Sequence, residues 1–328
     1  MKEFLDYDIK YPDLILSILE YFSLGNGETK DKNIRKFCQS YPVQAGENPI
    51  QPDIVDRICQ KLCEVRRMSC IRSGGVMGMD GNYGHVMRDK TKFHQFHDFY
   101  RAMYNSIVYG FVYIYRESLP NVLPLVAYNN KGEAMGTCFR MFNGLVTAKH
   151  CLTNGDTIAI RGYKAEFLNQ CKVYVSKNPD IDLAYIETNE TAKFNIAQGH
   201  VLDDVLVMGY PKVSFFLNFC TGEKANISAQ ADLRMTPTLG AIAAEGEIYF
   251  PKGLPKLYLI TAKIRGGNSG GPVINKEGMV VAVATGISAG EGLSDDDIGY
   301  GMAYPIQCAE AMLAEKNIEK FNFVDFPE

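Results

Sequence analysis

Apolar residues first recur at helical spacing. Beyond about residue 118 they fall into short runs cut by Gly, Asn and Asp clusters, so a helical beginning should give way to a β body. Residues 12–24 open on Pro12 and Asp13 and stop before Gly25-Asn26-Gly27, which predicts a helix. A short second helix is expected over 31–40. A third is expected over 52–66, where Ile54, Ile58, Leu62 and Val65 repeat at three- and four-residue intervals and Arg57, Lys61, Arg66 and Arg67 lie elsewhere. Two short strands, 68–72 and 83–88, flank the glycine-rich stretch 73–82. Residues 93–117 are dense in aromatics and predict a helix packed between two domains. Strands then follow at 122–128, 134–142 and 145–148, with turns at Asn129 to Gly132, Asn154 to Asp156, Asn178 to Asp180 and Lys276 to Gly278.

Within the β region, Arg265 to Val273 (RGGNSGGPV) carries the strongest chemical signal. Ser269 is walled in by Gly266, Gly267, Gly270 and Gly271, where the backbone can take positive φ and approach another molecule closely. Such a serine is either a nucleophile, with the amides of Gly267 and Ser269 forming an oxyanion hole, or a polar turn between strands. A base and an orienting carboxylate decide between these, and both lie upstream. His150 ends the apolar run Gly144 to Cys151, and Asp182 leads directly into the apolar Leu183 to Ile186. Asp180 is the rival carboxylate, but the apolar strand that follows Asp182 favours the latter.

The segments VTAKHC, DLAYI and GNSGGPV, in the order His, Asp, Ser, resemble the signature segments of trypsin-like serine peptidases of the chymotrypsin fold. That resemblance implies a mainly β, double-barrel peptidase domain over 118–328, with His150 and Asp182 on the first barrel and Ser269 on the second. Met135 to Phe139, Val207 to Pro211 and Tyr300 to Pro305 are closer to the HtrA-like branch, and the resemblance spans 120–315. With a helix expected at 306–316 and the sequence ending at Glu328, no room is expected for a PDZ domain. The resemblance also implies a substrate pocket with Lys263 at its base and Gly286 and Gly301 as its walls. A lysine there would disfavour cleavage after Arg or Lys. Asp295-Asp296-Asp297 either pairs with Lys263 and neutralises the pocket or forms a solvated loop. Asn268 stands where zymogen-activated trypsins carry an aspartate, so switching by N-terminal trimming is not expected.

A length of 328 residues fits two domains. Residues 1–92 resemble a small α/β winged helix-turn-helix domain, and 93–117 would link it to the peptidase domain. The first 92 residues hold 14 Lys and Arg against 13 Asp and Glu, without the basic excess of a duplex-binding surface. A regulatory protein partner for residues 1–117 is therefore expected ahead of nucleic acid, and polypeptide is the expected substrate. A DNA-binding regulator and an inactive peptidase-shaped binding module are the alternatives. His94 and His97 could share a helical face as metal ligands, but an aromatic packing face is the default, and neither a metal nor a cofactor is expected. The net charge of −4 gives no pull toward nucleic acid or anionic membrane. The charged N-terminus lacks a signal-peptide layout, no apolar run approaches a membrane span, and nine cysteines without a CxxC pair suit reduced thiols in a bacterial cytoplasm. Cys138 and Cys151 are read as buried thiols.

Overall fold

The computed structural model describes residues 7–24, 32–43, 48–85, 90–190, 194–211, 234–246, 257–287 and 300–327. The chain divides into two compact units, Met1–Ile114 and Tyr115–Glu328. The aromatic stretch expected as a linker thus falls mostly within the first unit.

In that unit three helices, Leu14–Tyr21, Ile34–Ser40 and Pro52–Glu64, precede an antiparallel ribbon of β1 (Ser69–Arg72) and β2 (Asn82–Gly84). The apolar stripe of the third helix turns inward, burying Ile54, Val55, Ile58, Cys59 and Leu62. Its first turn holds Pro52 and Asp53, which suit the free amides and positive end of a helix start. The aromatic stretch is three helices: Lys90–Gln95, His97–Tyr109 and Phe111–Ser118. Its long middle helix ends at Gly110, whose φ of 71° stops helical propagation. That helix packs against Leu14–Tyr21 and Pro52–Glu64. His94 lies 3.5 Å from Glu20, and His97 sits between Asp13 and Asp98.

The second unit contains two antiparallel sheets. Its first sheet has the order β15-β7-β8-β5-β4-β3-β6, where β3 is Val122–Asn129, β4 Gly132–Met141, β5 Gly144–Thr147, β6 Thr157–Ile160, β7 Val173–Val175, β8 Ala184–Ile186 and β15 Ile318–Glu319. Its second is a closed barrel, β10-β11-β14-β13-β12-β9, built from β9 (Asp204–Gly209), β10 (Thr236–Gly246), β11 (Leu257–Ile260), β12 (Pro272–Asn275), β13 (Val280–Ile287) and β14 (Gly301–Pro305). Closure removes the unpaired strand edges that an open sheet would expose. Each sheet encloses its own core: Leu125, Leu145, Ile158, Ile160 and Ile186 in the first, Val205, Val207, Ile260, Val273 and Val281 in the second.

The last residues finish the first sheet. β15 pairs with β7 at one edge, while Asn322 and Val324 exchange backbone hydrogen bonds with Ile158 on β6 at the other. Phe323 is buried in the first core, and both its N–H and its carbonyl bond the Asn169 side chain. This clasp follows a helix, Ile306–Glu315, close to the 306–316 expected. Among the described residues no helix is long and apolar enough to cross a membrane.

Candidate active site

The pairing of β5 with β8 sets Thr147 opposite Ala184, so residues just beyond these partners meet. His150 lies on a one-turn helix, Lys149–Thr153, anchored by buried Cys151 and Leu152. Asp182 immediately precedes Leu183, which is wholly buried. Asp182 grips His150 twice: Oδ1 accepts the His150 backbone N–H at 2.7 Å, and Oδ2 lies 2.5 Å from ring Nδ1. The carboxylate is an acceptor, so Nδ1 carries the proton and Nε2 is left as the basic nitrogen of the neutral ring. The Asp182 carboxylate raises the His150 pKa to about 10; the Cys151 contact adds to this, and burial opposes it. Asp180 is exposed, and its backbone carbonyl accepts the Tyr304 hydroxyl.

Ser269 lies in the tight loop between β11 and β12 and is 8% exposed. Its hydroxyl donates to the Thr285 carbonyl at 3.0 Å rather than to His150. Cys151 touches both halves of the site, with Sγ 3.7 Å from His150 Nε2 and 3.4 Å from the Ser269 carbonyl oxygen. Cys138 and Cys151 are free, buried thiols.

Gly267 and Gly270 have φ of 101° and 83°, angles that side-chain-bearing residues rarely adopt. A methyl on Gly267 would collide with the Tyr210 carbonyl, and one on Gly270 with the Thr137 carbonyl and Thr147 hydroxyl. Asn268 donates its N–H to the Arg265 carbonyl at 2.9 Å, and its own carbonyl accepts from Gly271 at 2.9 Å. Among the described residues the N–H groups of Gly267 and Ser269 donate to nothing, which leaves two backbone donors for an oxyanion.

The pocket positions differ from expectation. Lys263 is exposed; the next residue, Ile264, is buried and stands against Gly301. A Cβ on Gly301 would come 2.5 Å from Ile264 Cδ1, and one on Gly286 would lie 3.6 Å from Met302 Cε. The walls expected to be open thus face Ile264 and Met302. Both residues lie in the loop after β11, which ends at Ile260, and that loop turns Ile264 inward and Lys263 outward. Asp295-Asp296-Asp297 lies outside the described residues.

Sequence reasoning missed Thr137 on β4, which reaches the nucleophile loop with its hydroxyl and its N–H. The available signal was a small polar residue inside the otherwise apolar stretch Ala134 to Phe139.

Residues 136–283 match the family described as trypsin-like peptidase domain, which bears out the resemblance over that stretch. HhoB of Synechocystis sp., which carries a serine-protease designation, is 39% identical over 79 residues, covering 23% of this chain and 18% of that relative's length. Among solved structures, a serine endoprotease from Yersinia pestis aligns with a TM-score of 0.43 at 22% identity, covering 62% of this chain and 64% of the other. The active form of a protease from Mycobacterium tuberculosis aligns at 0.46 and 19% identity, covering 63% and 85%.

Proposed function

We propose that this chain, with a trypsin-like peptidase domain over residues 136–283, is a serine endopeptidase in which Ser269, His150 and Asp182 act together. The observation that carries this reading is the two-bond grip of Asp182 on His150, together with a serine loop that keeps two backbone amides unpaired. The Ser269 hydroxyl leaves the Thr285 carbonyl by rotating about Cα–Cβ and attacks a peptide carbonyl while Nε2 takes its proton. Asp182 holds the ring in the required tautomer and stabilises the imidazolium. The amides of Gly267 and Ser269 hold the developing oxyanion. His150 then returns the proton to the leaving amine, and water repeats the sequence on the acyl-enzyme. Covalent capture by a fluorophosphonate probe tests this: labelling should occur in the wild type and vanish in Ser269→Ala. An unlabelled, inactive wild type would leave a peptidase-shaped binding module.

Ile264 and Met302 at the expected pocket positions support an uncharged, modest side chain at the cleaved position and little cleavage after Arg or Lys. A peptide library varied at that position tests this, and a strong Arg or Lys preference would refute it.

The N-terminal unit is proposed to regulate the peptidase through a protein partner. The helices Leu14–Tyr21, Ile34–Ser40 and Pro52–Glu64 with the β1–β2 ribbon suit a winged-helix-like docking module, and the balanced charge of residues 1–92 favours protein over DNA. Equal peptidase rates for the full chain and a fragment starting near residue 118 would exclude that role.

A further inference from the structure

Thr137 is wholly buried, yet each of its polar groups has a partner. Its hydroxyl donates to the Gly267 carbonyl at 2.6 Å and accepts the Tyr210 N–H at 3.0 Å. Its N–H donates to the Ser269 carbonyl at 2.8 Å, and its carbonyl accepts the Thr147 hydroxyl at 2.7 Å. The residue sits on β4 of the first sheet, while Gly267 and Ser269 lie on the barrel that supplies the nucleophile. The two carbonyls it holds belong to the two residues whose amides are left free.

We propose that Thr137 is a positioning residue for catalysis, a clamp that fixes the Gly267–Ser269 loop in the shape that presents both oxyanion donors. The proposal rests on the peptidase reading above and adds a residue to it.

The peptide planes of the loop show why a clamp matters here. Three consecutive planes are pinned at their carbonyls: Gly267 by the Thr137 hydroxyl, Asn268 by the Gly271 N–H, and Ser269 by the Thr137 N–H. The plane before them carries the Gly267 N–H, and among the described residues its Gly266 carbonyl accepts nothing. That plane turns about Gly267, whose φ of 101° and missing Cβ allow wide rotation. Holding the Gly267 carbonyl fixes the far side of the pivot. Without the Thr137 hydroxyl, the carbonyl would be left unpaired in a buried place, and the loop could recover a partner only by rotating the peptides that form the hole. Tyr210, held by the same hydroxyl oxygen, backs Gly267 closely enough that a methyl there would strike its carbonyl.

The test uses the full-length protein with Thr137→Val, which keeps the shape and removes the hydroxyl, and Thr137→Ser, which keeps the hydroxyl. Hydrolysis of an internally quenched peptide gives kcat and KM, and a fluorophosphonate probe gives the labelling rate of Ser269. For Thr137→Val, kcat is expected to fall about 10²-fold, the scale of losing one oxyanion donor, with KM within about threefold. Labelling should slow in parallel, and Thr137→Ser should restore kcat to within about fivefold of wild type. A role in stability alone would lower the melting temperature and leave kcat of the folded fraction unchanged. If Thr137→Val does not fold, Thr137→Cys supplies a weaker donor of similar size and should give an intermediate kcat; wild-type kcat in that variant overturns the proposal. Full kcat in Thr137→Val, a loss confined to KM, or Thr137→Ser as impaired as Thr137→Val also overturns it. Each of these outcomes leaves the peptidase reading intact. A wild type that neither hydrolyses peptide nor captures the probe refutes the peptidase reading and the clamp with it.

Discussion

The two sheets of the second unit place their chemistry by opposite means. On the first, His150 and Asp182 are positioned through side chains: two adjacent strands bring a carboxylate and an imidazole together, and hydrogen bonds orient the ring. On the second, Ser269 is positioned through backbone, in a loop whose glycines take angles and contacts closed to other residues. A proton-transfer group must be ionisable near neutral pH, which only a side chain is, so it needs a side-chain mount that holds it in place. An oxyanion hole must not move, so it suits backbone planes held at their carbonyls. Damage to the His150–Asp182 pair should therefore alter protonation, and damage to the Gly267–Ser269 loop or to the Thr137 clamp on it should alter geometry.

Asp182→Asn should have the largest effect, lowering kcat on the order of 10⁴-fold while the protein stays folded. The same variant should show its origin in charge. In the wild type, Asp182 raises the His150 pKa from its ordinary value near 6.5 to about 10. Because the folded-state value is the higher one, this contribution to stability is complete below pH ~6.5 and is lost as pH rises toward 10. Denaturation measured across that range should show stability declining in the wild type and a flatter profile in Asp182→Asn. Imidazole NMR should find the His150 titration moved down in the variant. Catalysis needs the neutral ring, so wild-type rates should climb with pH from neutrality.

Gly267→Ala should come next, with kcat falling about 10²- to 10³-fold and the His150 titration unmoved. A shifted titration would show that the two mounts are not independent. Removing residues 317–327 should chiefly affect stability. It strips Phe323 from the first core and reopens β6 and β7, and the melting temperature should fall by at least about 10 °C. The smallest effect is expected from Glu319→Gln, which removes the carboxylate 3.2 Å from Lys149. That pair is partly exposed, so calorimetry should find a cost within about 1 kcal/mol.

The legible parts were those written in local pattern. A strand that leads into a histidine-bearing turn and another that follows an aspartate carry both their element and their chemistry in a few consecutive residues. The glycines around Ser269 likewise announce a backbone that other residues cannot follow. Thr137 was not legible because its meaning lies across some 130 residues, in partners that no spacing rule connects. Lys263 was expected inward but is exposed, because it lies in the irregular loop after β11, where no periodicity says which neighbour turns inward. The C-terminal clasp escaped because β15 is two residues long, Ile318 and Glu319, too short for any periodicity. The aromatic stretch read as one helix because its composition masks Gly110, where the chain breaks.

That clasp also bears on when the first sheet can be completed during the protein's own synthesis. Residues 318–324 bond to strands near residues 158 and 174, contacts of very long sequence separation and hence slow to form. They leave the ribosome after the other described strands of both sheets. The sheet carrying His150 and Asp182 therefore stays unfinished at both edges while the nucleophile barrel is being made.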